Sequence, residues 1–215
     1  MILSKRLKAI AEMVEEGAPI YDVGCDHCYL DIYLANLGHE CIAIDIRPPV
    51  IKAARKNVQN SGLEYKIEVL LNNGLENIVL KEESFVILSG LGAKTILKII
   101  DGKMLNKIII QSNDNLYMLR KTMQERNYCI VDEKIVFEDN KYYVIIKFEK
   151  GRTVYTEQEL LLGPELLKAK NDTFVNYLVE MNKHFDDVLL EIPDAYFKRR
   201  EEVKIILEHI KTALK

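Results

Sequence analysis

No apolar run in this chain approaches the roughly 18 residues that a bilayer-spanning helix needs. A secretory leader is not expected either. Met1, Ile2 and Leu3 are apolar, but Lys5, Arg6, Lys8 and Glu12 interrupt any signal-peptide core. The protein is therefore expected in the cytoplasm, with no membrane partner. Cysteine is sparse. Cys41 and Cys129 sit in apolar, strand-like stretches, where cysteine behaves as a small hydrophobe, and only Cys25 and Cys28 are close in sequence. That excludes a disulfide framework. No sign of charge dominates: 30 Lys and Arg face 33 Asp and Glu, for a net charge of −3. This argues against a wholly basic nucleic-acid-binding surface, although a local basic patch can serve in its place. What remains is an ordinary globular composition, 48% hydrophobic over 215 residues. That length supports one well-buried core and a modest appendage.

The pattern along the chain alternates. Leu3, Leu7, Ile10 and Val14 have helical spacing, so a helix is predicted over residues 3–15 with Ser4 as its cap. Residues 19–24 read as a short buried strand ending in a glycine turn, and 29–37 as a helix. A strand follows at 41–45, then a helix at 50–60 stopped by Ser61-Gly62. Strands are predicted at 67–71, 85–88 and 107–111, with helices at 94–100 and 115–126. Strand–helix alternation of this kind implies a parallel, doubly wound sheet.

The rhythm breaks at the end of that region. Residues 128–137 and 142–149 are both strand-like, and the four residues between them are too few for a crossover helix. The two must pair antiparallel. Parallel strands closed by an antiparallel hairpin distinguish a Rossmann-like methyltransferase sheet from that of a dinucleotide dehydrogenase. Beyond Gly151 the chain reads as wholly helical. Phe174, Leu178, Met181, Phe185, Val188 and Ile192 form a heptad-like seam, Pro193 breaks it, and Tyr196, Val203, Ile206, Ile210 and Ala213 make a second stripe. Two domains are expected: 1–152 catalytic, and 153–215 a helical hairpin. Lys198, Arg199 and Arg200 open the second helix, either as phosphate contacts or as a solvated face.

The first strand-to-helix turn carries the chemistry. In a dinucleotide fingerprint three glycines let the backbone approach a pyrophosphate. Here Gly24 is kept, but Asp26 stands where the second would be. A carboxylate in that loop repels a pyrophosphate. It does not repel S-adenosylmethionine, which carries a sulfonium and an ammonium and no phosphate. Asp22 and Asp26 therefore favour that cationic cofactor. Asp45, twenty-one positions after Gly24, ends the second strand, where a carboxylate can accept both ribose hydroxyls; Ile46 follows it. After the third strand, Asn73 offers an amide for the adenine edge and Gly74 a turn. After the fourth, Gly90 and Leu91 open over the cofactor. Cys25 and Cys28 also fit a redox pair or half a zinc site. The other cysteines are isolated, so neither reading is favoured and no metal is expected.

Together these residues resemble the TrmK family of bacterial tRNA (adenine-N1) methyltransferases, which act on adenosine 22. The resemblance rests on Leu3-Ser4-Lys5-Arg6-Leu7, the run from Asp22 to Leu30, Asn73-Gly74-Leu75, Ser89-Gly90-Leu91-Gly92, Gln111-Ser112-Asn113 and Leu162-Gly163-Pro164. The family usually has small residues at Cys25 and Cys28. It usually reads Met-Gly-Gly where Leu91-Gly92-Ala93 stands and Gln-Pro-Asn where Gln111-Ser112-Asn113 stands.

The resemblance implies methylation of adenine N1 in tRNA, giving 1-methyladenosine. That nitrogen already carries a lone pair, so alignment and desolvation are expected to do most of the work. Asp26 is the candidate to stabilise charge developing on the base, to accept from its amino group, or to bind the methionine end. His27 and Tyr29 orient or stack the base, or pack beneath the loop. Asn113 is placed toward the base edge, and Arg6 toward a phosphate or the rim. No obligate protein partner is evident. Rival readings are a methyltransferase for a protein or small molecule, and a catalytically silent RNA-binding protein.

Overall fold

The computed structural model describes residues 3–215; Met1 and Ile2, at the apolar start considered above, lie outside the described residues. The chain divides into two compact units, one ending at Thr153 and the other spanning Val154–Lys215.

The first unit opens with α1 (Lys5–Ala11), whose N-terminus is capped by Ser4 accepting from the Leu7 amide. This helix is shorter than its apolar spacing predicted. Met13 is still buried, but the chain turns through Gly17, at φ 76°, and Pro19 to enter the sheet. The strands are β1 (Ile20–Val23), β2 (Cys41–Asp45), β3 (Ile67–Leu71), β4 (Phe85–Leu91), β5 (Lys107–Ser112), β6 (Tyr128–Glu138) and β7 (Lys141–Lys150). Between them lie α2 (Tyr29–Asn36), α3 (Pro48–Asn60), α4 (Ala93–Ile99) and α5 (Leu116–Glu125). Pro48 begins α3 two residues before its predicted start, because proline's fixed φ and missing N–H suit a first turn.

The sheet order is β3-β2-β1-β4-β5-β7-β6. Strands β1 to β5 are parallel, and β7 runs antiparallel to both β5 and β6. The methyltransferase form of the sheet is thus observed. Its hairpin turns on Asp139 and Asn140, both at positive φ, as a two-residue turn requires. Strand order reverses between β1 and β4. That is the switch point where ligands bind beyond the carboxyl ends of an open parallel sheet. The central strands are nearly continuous runs of buried aliphatics, Ile108, Ile109 and Ile110 among them, as expected of strands covered on both faces. β4 is longer than predicted. It continues through Ser89, Gly90 and Leu91, with its register to β5 slipping at Gly90, where φ is 76°.

The second unit contains α6 (Glu157–Leu162), α7 (Pro164–Ala169), α8 (Asp172–Glu191) and α9 (Phe197–Leu214). The two short helices precede the hairpin that the sequence predicted. Along α8, Phe174 and Leu178 are buried while Met181, Phe185 and Val188 are half-buried; Ile192 falls past the helix end. The stripe on α9 is corrected. Val203, Leu207, Ile210 and Ala213 are buried, Ile206 lies on the flank, and Tyr196 precedes the helix and is exposed. Spacing of four and three from Val203 selects Leu207, which the predicted stripe passed over.

Candidate active site

A cleft of about 800 Å³ opens at the switch point, lined by the β1–α2 turn, the ends of β2 and β4, the loop after β3, and part of α4. It gathers Asp22, Gly24, Asp26, His27, Tyr29, Asp45, Ile46, Asn73, Gly74, Gly90, Leu91 and Arg6. These come from five separate stretches of sequence. The β1–α2 turn is tight: Gly24 has φ 89°, and Asp26 and Cys28 are also left-handed, at 48° and 57°. A side chain at Gly24 would point at Leu91, 3.8 Å away, and its positive φ would be strained. Gly74 is held open likewise, since a Cβ there would meet Ile99 at 3.1 Å.

Asp45 is buried at the end of β2. Burial works to raise its pKa, but bonds from Arg47 outweigh this and hold the carboxyl below its ordinary value. Oδ1 accepts from the Arg47 amide at 2.9 Å and from Nε at 3.0 Å, and Oδ2 accepts from Nη2 at 2.9 Å. The same guanidinium lies 3.8 Å from Asp26, so one exposed arginine sits between Asp26 and Asp45. Sequence reasoning missed Arg47. An Asp-x-Arg pair at a strand end was the available signal.

Asp22 lies at the cleft floor, facing Asp31 of α2, and both are buried. Burial first, then the neighbouring Asp31 and Cys25, pushes Asp22 well above the usual carboxylate range. Asp31, whose carboxyl faces Asp22 and Cys28, is raised by burial to about 7. An acid whose folded pKa is raised stabilises the fold most when protonated in both states. That advantage is lost as pH climbs from the ordinary 3.8 to about 7. Asp31→Asn removes the titration. Its melting temperature relative to the parent should therefore rise between pH 4 and pH 7 and level off above. A difference independent of pH would contradict the assignment. Cys28 is wholly buried, and its neighbour Cys25 together with burial pushes its thiol far up, which disfavours the thiolate that redox or metal chemistry needs. Among the described residues no group of three or more His, Cys, Asp or Glu is arranged to hold a metal.

At the rim, the side chains of Asp26 and His27 are 64% and 50% exposed, and the His27 and Tyr29 rings stack at 5.6 Å with planes 26° apart. Asn73 donates to Glu76 at 2.5 Å, shaping the loop after β3. Asn113 requires correction. It does not line the cleft; its Nδ2 donates to the Gly90 carbonyl at 2.7 Å and its Oδ1 accepts from Gln111 at 3.1 Å, so its amide is committed to β4 rather than to a base edge. Arg200 is corrected as well. It donates to the carbonyls of Leu189 and Ile192 and lies 3.5 Å from Asp194, closing the end of α8 instead of offering a free charge. Arg199 pairs with Glu202 at 3.1 Å, and Lys198 is exposed.

A methyltransferase-domain family matches residues 3–146. The tRNA (adenine(22)-N(1))-methyltransferase of Bacillus subtilis is 30% identical over 94% of this chain and 91% of its own. The chain belongs to the TrmK family. Mycoplasma capricolum TrmK, solved with S-adenosyl-homocysteine, superposes with TM-score 0.88 at 30% identity, covering 100% of this chain and 98% of its own. Streptococcus pneumoniae Sp1610, solved with S-adenosyl-L-methionine, gives TM-score 0.89 at 29% identity, with both chains fully covered.

The cleft of this TrmK-family chain fits S-adenosylmethionine as its cofactor. Its carboxylates suit a cation, Asp45 suits a ribose diol, and Gly24 and Gly74 leave room beside the backbone. Asp45→Asn keeps the shape but removes a charged acceptor, a change worth roughly 1.5–3 kcal/mol. Calorimetry should show cofactor affinity falling by about 10- to 100-fold, and unchanged affinity would remove Asp45 from the ribose site.

Proposed function

We propose that this protein uses S-adenosylmethionine to methylate N1 of adenosine 22 in tRNA, in the cytoplasm. The observation that carries this reading is a cofactor cleft whose rim joins a stacked aromatic pair, His27–Tyr29, to an exposed carboxylate, Asp26. Stacked rings offer a platform for a base drawn out of its helix, a displacement that costs a few kcal/mol. The carboxylate complements the positive charge that N1 methylation leaves on adenine. S-adenosylmethionine, when bound, supplies the electrophilic methyl group. No strong base is required, because N1 of neutral adenine already presents a lone pair, so the protein's task is to align the base and exclude water. The name of the Bacillus subtilis relative supports the choice of nucleotide.

The deciding experiment is nucleoside mass spectrometry of unmodified tRNA after incubation with protein and cofactor. The expected product is 1-methyladenosine at position 22, absent from a tRNA with guanosine there. Methyl transfer to peptides or small molecules instead would replace this reading.

We further assign Lys198 and Arg199 to tRNA phosphates, through the exposed charge that precedes the structural Arg200. Reversing both charges should weaken tRNA binding while leaving cofactor affinity alone. It should also flatten the salt dependence by roughly one to two phosphate contacts. Unchanged tRNA binding would eliminate this arm. Arg200→Ala, by contrast, should lower the melting temperature without altering the salt slope.

A further inference from the structure

Arg6 enters the cleft from outside the sheet. Its helix is anchored across 132 residues of sequence: the Glu138 carboxylate accepts from the Lys5 amide at 2.7 Å and the Arg6 amide at 3.3 Å. The guanidinium lies 5.5 Å from the centre of the Tyr143 ring and donates to Ser89 Oγ at 2.7 Å and Gln111 Oε1 at 2.9 Å. Gln111 is almost completely buried. Its Oε1 also accepts from the Gly90 amide at 3.1 Å, and its Nε2 donates to Asn113 Oδ1 at 3.1 Å. Asn113 in turn donates to the Gly90 carbonyl at 2.7 Å. Both backbone polar groups of Gly90 are therefore held by side chains, at the point where β4 slips register beside the cleft.

The direction of this chain is set by Arg6 together with the Gly90 backbone. A primary amide can turn over and exchange its oxygen and nitrogen, but a guanidinium only donates. Arg6 and the Gly90 N–H, which both only donate, require Gln111 to present oxygen. That leaves Gln111 nitrogen facing Asn113, which forces Asn113 to point its NH₂ at Gly90. Reversing either amide would set donor against donor or oxygen against oxygen, a mismatch costliest at the buried Gln111.

We propose that Arg6 is a positioning residue for methyl transfer, acting through Gln111 and Asn113 to hold Gly90 and Leu91 in place beside the reacting base. This rests on the methyltransferase reading above. It replaces the expectation that Arg6 meets a phosphate.

The test uses the full-length protein, unmodified tRNA transcript and S-adenosylmethionine. Arg6→Met should lower the single-turnover rate at saturating tRNA and cofactor by about 100-fold, the cost of misplacement on the ångström scale. The salt slope of tRNA binding should stay as in the parent. Asn113→Asp has nearly the same shape but turns an oxygen toward the Gly90 carbonyl. It should reproduce the rate loss with Arg6 intact, and its melting curve separates this from unfolding. Normal turnover of Arg6→Met with a salt slope reduced by about one makes Arg6 a phosphate contact and overturns the proposal. Normal turnover of Asn113→Asp overturns it equally. A parent protein that binds cofactor but methylates no tRNA overturns the functional reading, whereas an active parent with unaffected variants overturns the positioning role alone.

Discussion

Glu133→Ala is expected to cost the first unit about 3–5 kcal/mol and to lower its thermal midpoint by about 10 °C. Arg120 of α5 donates from Nε to Glu133 Oε1 of β6 at 2.9 Å, and the two side chains are 1% and 0% exposed. Each charge left water at a cost of several kcal/mol, and the mutual attraction of the pair offsets that cost. Removing the carboxylate takes its ion-pair partner from a guanidinium buried between helix and sheet. Replacing both groups with apolar residues of similar volume, as in Arg120→Met with Glu133→Leu, leaves no stranded charge and should restore most of the loss. The pair therefore contributes little net stability while making either partner indispensable alone. A Glu133→Ala protein melting within about 2 °C of the parent would show that water reaches Arg120 after all. Catalytic measurements on this variant must be made well below its midpoint.

Asp26→Ala is expected to slow methyl transfer by about 100-fold or more at saturating cofactor, in line with the loss of one well-placed electrostatic group. Asp26 has two possible employers in the cleft: the base, which becomes cationic on methylation, and the cationic methionine end of the cofactor. Its exposure at the rim, beside His27 at 3.9 Å and Arg47 at 3.8 Å, favours the base, because an incoming nucleotide reaches a group open to solvent. Arg47 adds a competing attraction, so Asp26 is held close to its site before a substrate arrives. The two roles separate in a single pair of measurements. If Asp26 serves the base, the single-turnover rate falls and the cofactor dissociation constant barely moves. If the dissociation constant rises and the saturated rate is preserved, Asp26 belongs to the methionine end. Near-normal values of both would remove it from the site.

How far the sequence could be read depended on whether an element is specified locally. β2 and β3 were legible to the residue, since each is a short apolar run between turn signals. The hairpin of β6 and β7 was legible because a gap of so few residues permits only one pairing. α1 was overextended, because Met13 and Val14 keep helical spacing after the helix has ended, and burial alone does not distinguish a helix from the turn that follows it. Arg200 read as a basic surface residue, since nothing in a Lys-Arg-Arg run tells that its third member folds back onto the preceding helix end.

By itself the sequence determined the class of sheet, the acid-rich turn around Gly24 and the carboxylate at Asp45, because these depend on residues adjacent in the chain or on strand-end spacing. The tertiary structure alone decided the partners. Arg6, Ser89, Gln111 and Asn113 meet only when α1 docks on β6 and β7 and Arg6 reaches the ends of β4 and β5, and Asp22 finds Asp31 only when α2 packs back on the sheet. Hydrogen bonds and shared protons depend on distances of a few ångströms between atoms far apart in sequence, and no local pattern encodes such distances.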